Sequence, residues 1–265
     1  MKVAVIQTNA GANKKQNIKR AVDLVSRAVG QGAKWIALPE MFSYRGPLSA
    51  ENFSSIVEKI PGESTLPLMA LARQGNVFIL AGSVYEKSPK KNKCCNTSAL
   101  INGAGKIIAK YRKMNLFNAV IGKTVIKESA WFLPGRSPQI ARVEDFKVGL
   151  SICYDLRFGE LFRKYANQGA QVLCIPAVFT KKTGQAHWEV LVRARAIENL
   201  SYVLAPNQAG EDYRGVASYG NSLIVSPWGE VIARASADRE EIIYADIHQS
   251  AIEEARAVLP GFVKK

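Results

Sequence analysis

Short apolar runs of strand type, alternating with segments of helical spacing, do most to limit what this 265-residue chain can fold into. Val3 to Gln7 suits a short buried strand. Ala12 to Val29 follows with Ile18, Val22, Leu24, Val25 and Ala28 at helical intervals. Lys34 to Leu38 is a second strand and stops at Pro39-Glu40. Ser64 to Gln74 reads as a helix, and Val77 to Val84 and Cys94 to Ile101 as neighbouring strands. The turn Asn102-Gly103-Ala104-Gly105 leads into a further strand, Lys106 to Tyr111. Arg112 to Pro138 carries no regular pattern. Gln139 to Arg142 and Phe146 to Ile152 form a strand pair around Glu144-Asp145, and Gly159 to Gln168 is a helix. Gln171 to Ile175 is a strand, and Val178 to Gln185 reads as a loop. His187 to Asn199 is an amphipathic helix with Val190, Ala194 and Ile197 on one face. Strands at Tyr202 to Ala205, Ser222 to Ser226, Val231 to Ala235 and Glu241 to Ala245 precede a last helix, Ser250 to Val258. No repeat or linker interrupts this order. It implies one α/β domain over residues 1–265, with sheets covered by helices.

Composition narrows the function classes. Hydrophobic residues make up 48% of the chain, enough for a large core, yet no apolar run is as long as a membrane span. The formal net charge is +14, but the basic residues are scattered. The densest cluster, Lys87 to Lys93, sits between two strands as a solvated hairpin loop. Without aromatic-basic interleaving, nucleic acid is not an expected partner. Met1 to Ile6 enters a strand directly, so no signal peptide is expected. Cys94, Cys95, Cys153 and Cys174 lack metal-ligand spacing and read as reduced thiols of a cytoplasmic protein.

The candidate chemistry lies at strand ends. In Val148-Gly149-Leu150-Ser151-Ile152-Cys153-Tyr154-Asp155-Leu156-Arg157-Phe158 a strand stops at Cys153 and a helix follows. A cysteine on such a turn is presented at the sheet edge, where backbone N–H groups can face a developing oxyanion. It becomes a nucleophile once a neighbour takes its proton. A small buried core residue is the structural alternative. Glu40 ends the strand Ala37-Leu38-Pro39-Glu40 beside Met41 and Phe42, where desolvation favours a general base; a helix cap is its alternative. Lys113, in Tyr111-Arg112-Lys113-Met114, and Glu128, in Lys127-Glu128-Ser129, are plain when taken singly. His187 and His248 are the only histidines. A Cys–His mechanism would need His187 as the base, whereas a structural place near the start of its helix fits it equally.

Together these stretches resemble the nitrilase superfamily of carbon–nitrogen hydrolases. Leu38-Pro39-Glu40, Tyr111-Arg112-Lys113 and Cys153-Tyr154-Asp155-Leu156-Arg157-Phe158 stand in that family's order, and the likeness covers essentially the whole chain. The segments Thr183-Gly184-Gln185-Ala186-His187-Trp188-Glu189 and Arg193-Ala194-Arg195-Ala196-Ile197-Glu198 look most like the omega-amidase and deaminated-glutathione amidase branch. The resemblance implies a four-layer α-β-β-α sandwich. It also implies Glu40 as base, Lys113 as oxyanion stabiliser, Cys153 as nucleophile and Glu128 as a second glutamate. The Tyr154 backbone N–H is the expected oxyanion donor. No metal or organic cofactor is expected, and a homodimer or higher oligomer is, paired through the helices after the cysteine strand and the next strand.

The expected reaction is hydrolysis of a small amide, such as an omega-amide of a dicarboxylic acid, through a thioester. Phe179, Thr180, Thr183 and His187 are the expected substrate-binding residues, with Lys181 and Lys182 nearby to meet a carboxylate. A nitrilase or an N-carbamoyl amide hydrolase would use the same set, and a binding protein with a dead site is the non-enzymatic alternative. The chain departs from the branch at Asn115 and Asn118, where a histidine and an aspartate are usual.

Overall fold

A computed structural model of the chain describes residues 1–121 and 124–260. In chain order its elements are β1 (Lys2–Gln7), α1 (Lys14–Gly30), β2 (Trp35–Ala37), α2 (Phe53–Ile56), α3 (Leu66–Gly75), β3 (Phe78–Lys87), β4 (Cys94–Ile101), β5 (Ile107–Arg112), β6 (Asn118–Ile121) and β7 (Thr124–Lys127). There follow β8 (Gln139–Val143), β9 (Phe146–Leu150), α4 (Gly159–Asn167), β10 (Val172–Cys174), α5 (Lys181–Asn199), β11 (Tyr202–Ala205), β12 (Leu223–Val225), β13 (Val231–Arg234), β14 (Glu241–Asp246) and α6 (Gln249–Val258).

Among the described residues the strands form two six-stranded sheets and a two-stranded ribbon. The first sheet runs β14-β1-β2-β3-β4-β5 and the second β13-β12-β11-β10-β9-β8, while β6 pairs only with β7. Strand alternation explains the layers. In the first sheet Ala4, Ile6, Ile36, Leu38, Ile79 and Ala99 point to one side, where they pack with Leu24, Val25 and Ala28 of α1 and Leu68 and Ala72 of α3. Their neighbours Val3, Val5, Trp35, Ala37, Leu80 and Tyr111 point the other way and share a core with the second sheet's Val148, Leu150, Leu173 and Val203. Phe162 and Tyr165 of α4 and Trp188, Val192 and Ala196 of α5 complete that core. The result is the expected α-β-β-α sandwich. Each aliphatic side chain so buried contributes about 1.5–3 kcal/mol relative to exposure.

Three expectations need correction. Residues 112–138, read as irregular, contain the β6–β7 ribbon and a 3₁₀ turn at Glu128–Ala130; Gly122 and Lys123 lie outside the described residues. The ribbon shows little burial signal because it faces solvent, with Val120 and Val125 both exposed. The segment read as a loop up to Gln185 is already helical from Lys181. Thr180 caps α5, its side chain accepting from the Thr183 N–H, so the helix starts six residues earlier than His187. Finally, α5 buries Gly184, Trp188, Val192, Arg195, Ala196 and Asn199, while Val190 and Ile197 face outward at 67% and 42% exposure. Spacing alone does not say which of two apolar stripes meets the sheet.

Candidate active site

Backbone geometry gathers the strand ends. Gly82 sits at an irregularity in the β3–β4 pairing, with φ +25°, and an added Cβ would lie 1.9 Å from the Pro39 carbonyl oxygen. This close approach brings the end of β2 over β3, and Glu40 emerges there. Met41, the next residue, has φ +54°, and its N–H donates to Ser83 Oγ at 2.9 Å. In the second sheet Cys153 follows β9 with φ +49°, a left-handed conformation that costs a non-glycine residue of order 1 kcal/mol or more. Three bonds hold the turn. The Cys153 N–H donates to the Pro176 carbonyl at 2.9 Å, and Asp155 Oδ2 accepts the Ile152 N–H at 2.9 Å and the Tyr111 hydroxyl at 2.7 Å.

Lys113, 1% exposed, stands at the end of β5 between two carboxylates. Its Nζ donates to Glu40 Oε1 at 2.9 Å and to Glu128 Oε1 at 2.8 Å. An ammonium carries three N–H groups, so one is left over. Glu40 Oε1 also accepts Asn96 Nδ2 at 2.8 Å, and Oε2 accepts the Val178 N–H at 3.0 Å. The Glu40 carbonyl accepts Gln208 Nε2 at 3.0 Å. The ribbon positions Glu128: at its base the Glu128 N–H donates to the Phe117 carbonyl at 3.1 Å, and Glu128 Oε2 accepts the Phe117 N–H at 2.7 Å.

Charge and burial oppose each other here. Burial alone would pull the Lys113 ammonium down, but Glu128 and Glu40 outweigh it and hold it well above the ordinary lysine value. Burial lifts the Glu128 carboxyl; Lys113 opposes this and Glu40 adds to it. Cys153, 7% exposed, is pushed well above the ordinary thiol range by burial and by the Glu40 charge, against the pull of Lys113 and the Val178 N–H. It therefore rests as a neutral thiol, and losing its proton requires a nearby acceptor.

Glu40, Glu128 and Cys153 share the wall of a cavity of about 170 Å³. Aromatic rings from Tyr85, Phe117, Trp131 and Phe132 make much of its lining, and Arg45, Asp212, Tyr213 and Arg214 provide charged and polar groups. Arg45, the 212–214 segment, Asn96 and Gln208 are the components that sequence reasoning missed. Each is an ordinary polar residue in a loop or strand, placed by tertiary structure alone. The charge in Tyr44-Arg45-Gly46 so soon after Glu40 was the one signal open to notice.

Thr180 lines this cavity, and an adjoining recess beside Cys153 is lined by Phe117, Tyr154, Arg157, Phe179, Thr180 and Thr183. The Thr180 and Thr183 hydroxyls bond each other at 2.9 Å as part of the helix cap. His187 is outside both spaces. It lies exposed on α5, with Nδ1 3.3 Å from Arg157 Nη2, because the early helix start turns it to solvent. Lys181 and Lys182 are exposed and line a surface hollow with Gln185 that shares Thr180 and Val216 with the cavity, but neither lysine is part of the cavity's own lining. Asn115 bonds Asp155 Oδ1 through its N–H and Nδ2, both at 2.9 Å, and Asn118 Oδ1 accepts the Ser129 N–H at 3.2 Å. Both amides thus serve the frame of the site. Among the described residues no group of His, Cys, Asp and Glu is placed to hold a metal ion, and no helix is long and apolar enough to cross a membrane.

Comparisons with known proteins show the family. The Carbon-nitrogen hydrolase family matches residues 2–257. Omega-amidase NIT2 of Homo sapiens is 40% identical over 265 residues, covering 100% of this chain and 94% of that protein. The crystal structure of the C. elegans NitFhit protein superposes with a TM-score of 0.91 at 34% identity; 98% of this chain is covered, and the chain spans 64% of that longer one. Saccharomyces cerevisiae Nit3, a member of branch 10 of the nitrilase superfamily, gives a TM-score of 0.86 at 33% identity, covering 98% of this chain and 94% of that one. The chain therefore belongs to the carbon-nitrogen hydrolase family and is an enzyme of that class.

Proposed function

We propose that the enzyme hydrolyses the C–N bond of a small amide to an acid and ammonia through a thioester on Cys153, with an omega-amide of a dicarboxylic acid as its substrate. The observation that carries this reading is the buried Lys113 ammonium held between Glu40 and Glu128, two carboxylates on the wall of the cavity that Cys153 also lines. Glu40 takes the thiol proton as Sγ bonds the amide carbon. The oxyanion meets the remaining Lys113 N–H and the Tyr154 backbone N–H; one such donor typically contributes about 2.7–4 kcal/mol to lowering the barrier. As the C–N bond breaks, Glu40 returns the proton to nitrogen and ammonia leaves. Water then adds to the thioester and gives a proton to Glu40. The C–S bond breaks, and the thiolate recovers that proton. One carboxylate thus serves as base and acid in both halves, and no metal or cofactor enters. The omega-amide assignment is supported by the likeness to proteins named omega-amidase.

The core shared by both sheets supports reading residues 1–265 as one carbon–nitrogen hydrolase domain, and the four free cysteines suit the cytoplasm. A homodimer is supported by Val190 and Ile197 on α5 and by Trp228, 53% exposed in the β12–β13 turn. The experiment that tests the reaction is ammonia release across a panel of amides, with trapping of the acyl group followed by mass spectrometry. The acyl group is expected on Cys153, and Cys153→Ala is expected to abolish turnover. An adduct on Cys174 instead would remove Cys153 from the reaction.

A further inference from the structure

Arg45 is a buried cation without an anion of its own. It is 5% exposed on the wall of the cavity that holds Cys153. Its Nη1 donates to the Ala209 carbonyl at 3.0 Å, while Nε and Nη2 are enclosed and have no acceptor. Among the described residues it forms no ion pair. The nearest candidate, Asp212, is committed elsewhere. Its Oδ2 accepts Arg214 Nε at 2.9 Å and Arg214 Nη2, and its Oδ1 accepts the N–H groups of Arg214 and Val216 at 2.8 and 3.0 Å. Burial draws the Arg45 guanidinium down to about 10, with Asp212 opposing and Arg214 adding to the fall.

A buried charge without a partner is costly, and two unbonded N–H donors beside it add to that cost. The unbonded edge has a particular shape. Nε and Nη2 are the two nitrogens whose N–H groups run parallel on one side of a guanidinium, the edge that takes both oxygens of a carboxylate. Around the rest of the cavity the charges divide. Glu40 and Glu128 flank one ammonium at the Cys153 end, Arg214 and Asp212 offset each other, Lys127 on the lining is exposed to solvent, and Arg45 is the buried cation left over. A ligand with a neutral amide at one end and a carboxylate at the other matches that polarity. Lys181 and Lys182, the sequence-based candidates for such a role, lie outside the cavity.

We infer that Arg45 is the specificity-determining residue of this enzyme, taking the far carboxylate of an amide-acid substrate on its Nε and Nη2 edge. The inference rests on the proposed amide hydrolysis and goes beyond it by naming the residue that selects the substrate. The carboxylate forms two charge-assisted bonds once the groups that enclose Nε and Nη2 shift to admit it, and its charge offsets that of the guanidinium. Substrate is thereby held with its amide end toward Cys153.

The test compares kcat/KM for glutaramate, the monoamide of glutaric acid, with that for valeramide, a neutral amide of the same length. Wild type is expected to favour glutaramate. In Arg45→Gln the ratio of the two kcat/KM values is expected to fall about 10- to 150-fold, the range of a charge-assisted contact, mostly through KM for glutaramate. Arg45→Lys, which keeps the charge and loses the fork, is expected to recover part of the ratio. Equal loss on both amides, with the ratio intact, would assign Arg45 to holding the Ala209 loop and overturn the inference. Equal use of both amides by wild type would overturn it too, while leaving amide hydrolysis in place. Calorimetric binding of glutaramate to Cys153→Ala separates the two readings and does not depend on Arg45→Gln folding well. Binding that favours glutaramate over valeramide supports the Arg45 assignment even if neither amide is turned over, and binding without preference overturns it.

Discussion

Replacing Lys113 by methionine puts the central cluster to its most demanding trial. The side chain fits the space in length, but Glu40 and Glu128 then face each other with no ammonium between them. Breaking a buried ion pair by removing one partner costs about 3–5 kcal/mol, and here one cation serves two carboxylates at 2.9 and 2.8 Å. For a chain of this size that corresponds to a fall in Tm of about 6–20 °C. The sign of the pH dependence follows from Glu128, whose carboxyl already sits above its ordinary 4.5 in the fold. A raised carboxyl favours the folded state below its unfolded value and opposes it as pH climbs through the folded value. The deficit of Lys113→Met is therefore predicted to be larger at pH 8 than at pH 5. Adding Glu128→Gln to Lys113→Met removes one of the two stranded charges and is expected to restore much of the lost stability. It is not expected to restore turnover, because the proposed oxyanion donor is still missing. Urea denaturation of the single and double variants at both pH values, with ammonia release measured in parallel, supplies every number needed. A Lys113→Met protein within 1 kcal/mol of wild type at both pH values would refute the account of a cluster held together by its ammonium.

Further predictions concern the base, the backbone and acid stability. Glu40→Gln is expected to remove nearly all ammonia release, while His187→Asn, altered at an exposed position beside Arg157, keeps a substantial part; the opposite ranking would point to a Cys–His mechanism. Gly82→Ala drives a methyl group against the Pro39 carbonyl at 1.9 Å, so it is predicted to lose activity and to melt well below wild type, and a wild-type melting curve would show that the close approach is dispensable. Burial disfavours the Glu86 charge, but Arg112, Lys110 and Thr97 outweigh it and draw the carboxyl down to about 2. A depressed carboxyl stabilises the fold above its unfolded value of 4.5 and loses that effect as pH falls toward 2. The Tm gap between wild type and Glu86→Gln should therefore narrow over that window, and a constant gap would argue against the charge as its cause.

The two-sheet layout was legible because buried strands announce themselves. Runs such as Val77 to Val84 and Cys94 to Ile101 are apolar and bounded by turn residues, so their existence and their pairing can be read before any tertiary contact is known. The same logic fails where an element faces water. In the β6–β7 ribbon Val120 and Val125 are exposed, although Glu128 is set in place at its base. On α5, Val190 and Ile197 form as good an apolar stripe as Trp188 and Val192, and only the sheet decides between them. Glu40, Lys113 and Cys153 could be picked out because each ends a strand, within motifs that a known family shares. Arg45 could not. Its significance comes from which of its nitrogens lack a partner, a property that exists only after residues 164 positions apart have met.

The division of the cluster between the two sheets has a consequence for how activity returns after denaturation. Glu40 and Lys113 are delivered by β2 and β5 of one sheet, Cys153 and Val178 by the ends of β9 and β10 of the other, and β14 closes the first sheet only after the second is complete in the chain. Neither sheet alone owns a working set of groups. On the proposed mechanism, turnover is thus a coincidence detector for docking of the two layers. During refolding, a species with full β-sheet circular dichroism but undocked layers is silent, and the lag between the spectroscopic and enzymatic signals measures the docking step directly.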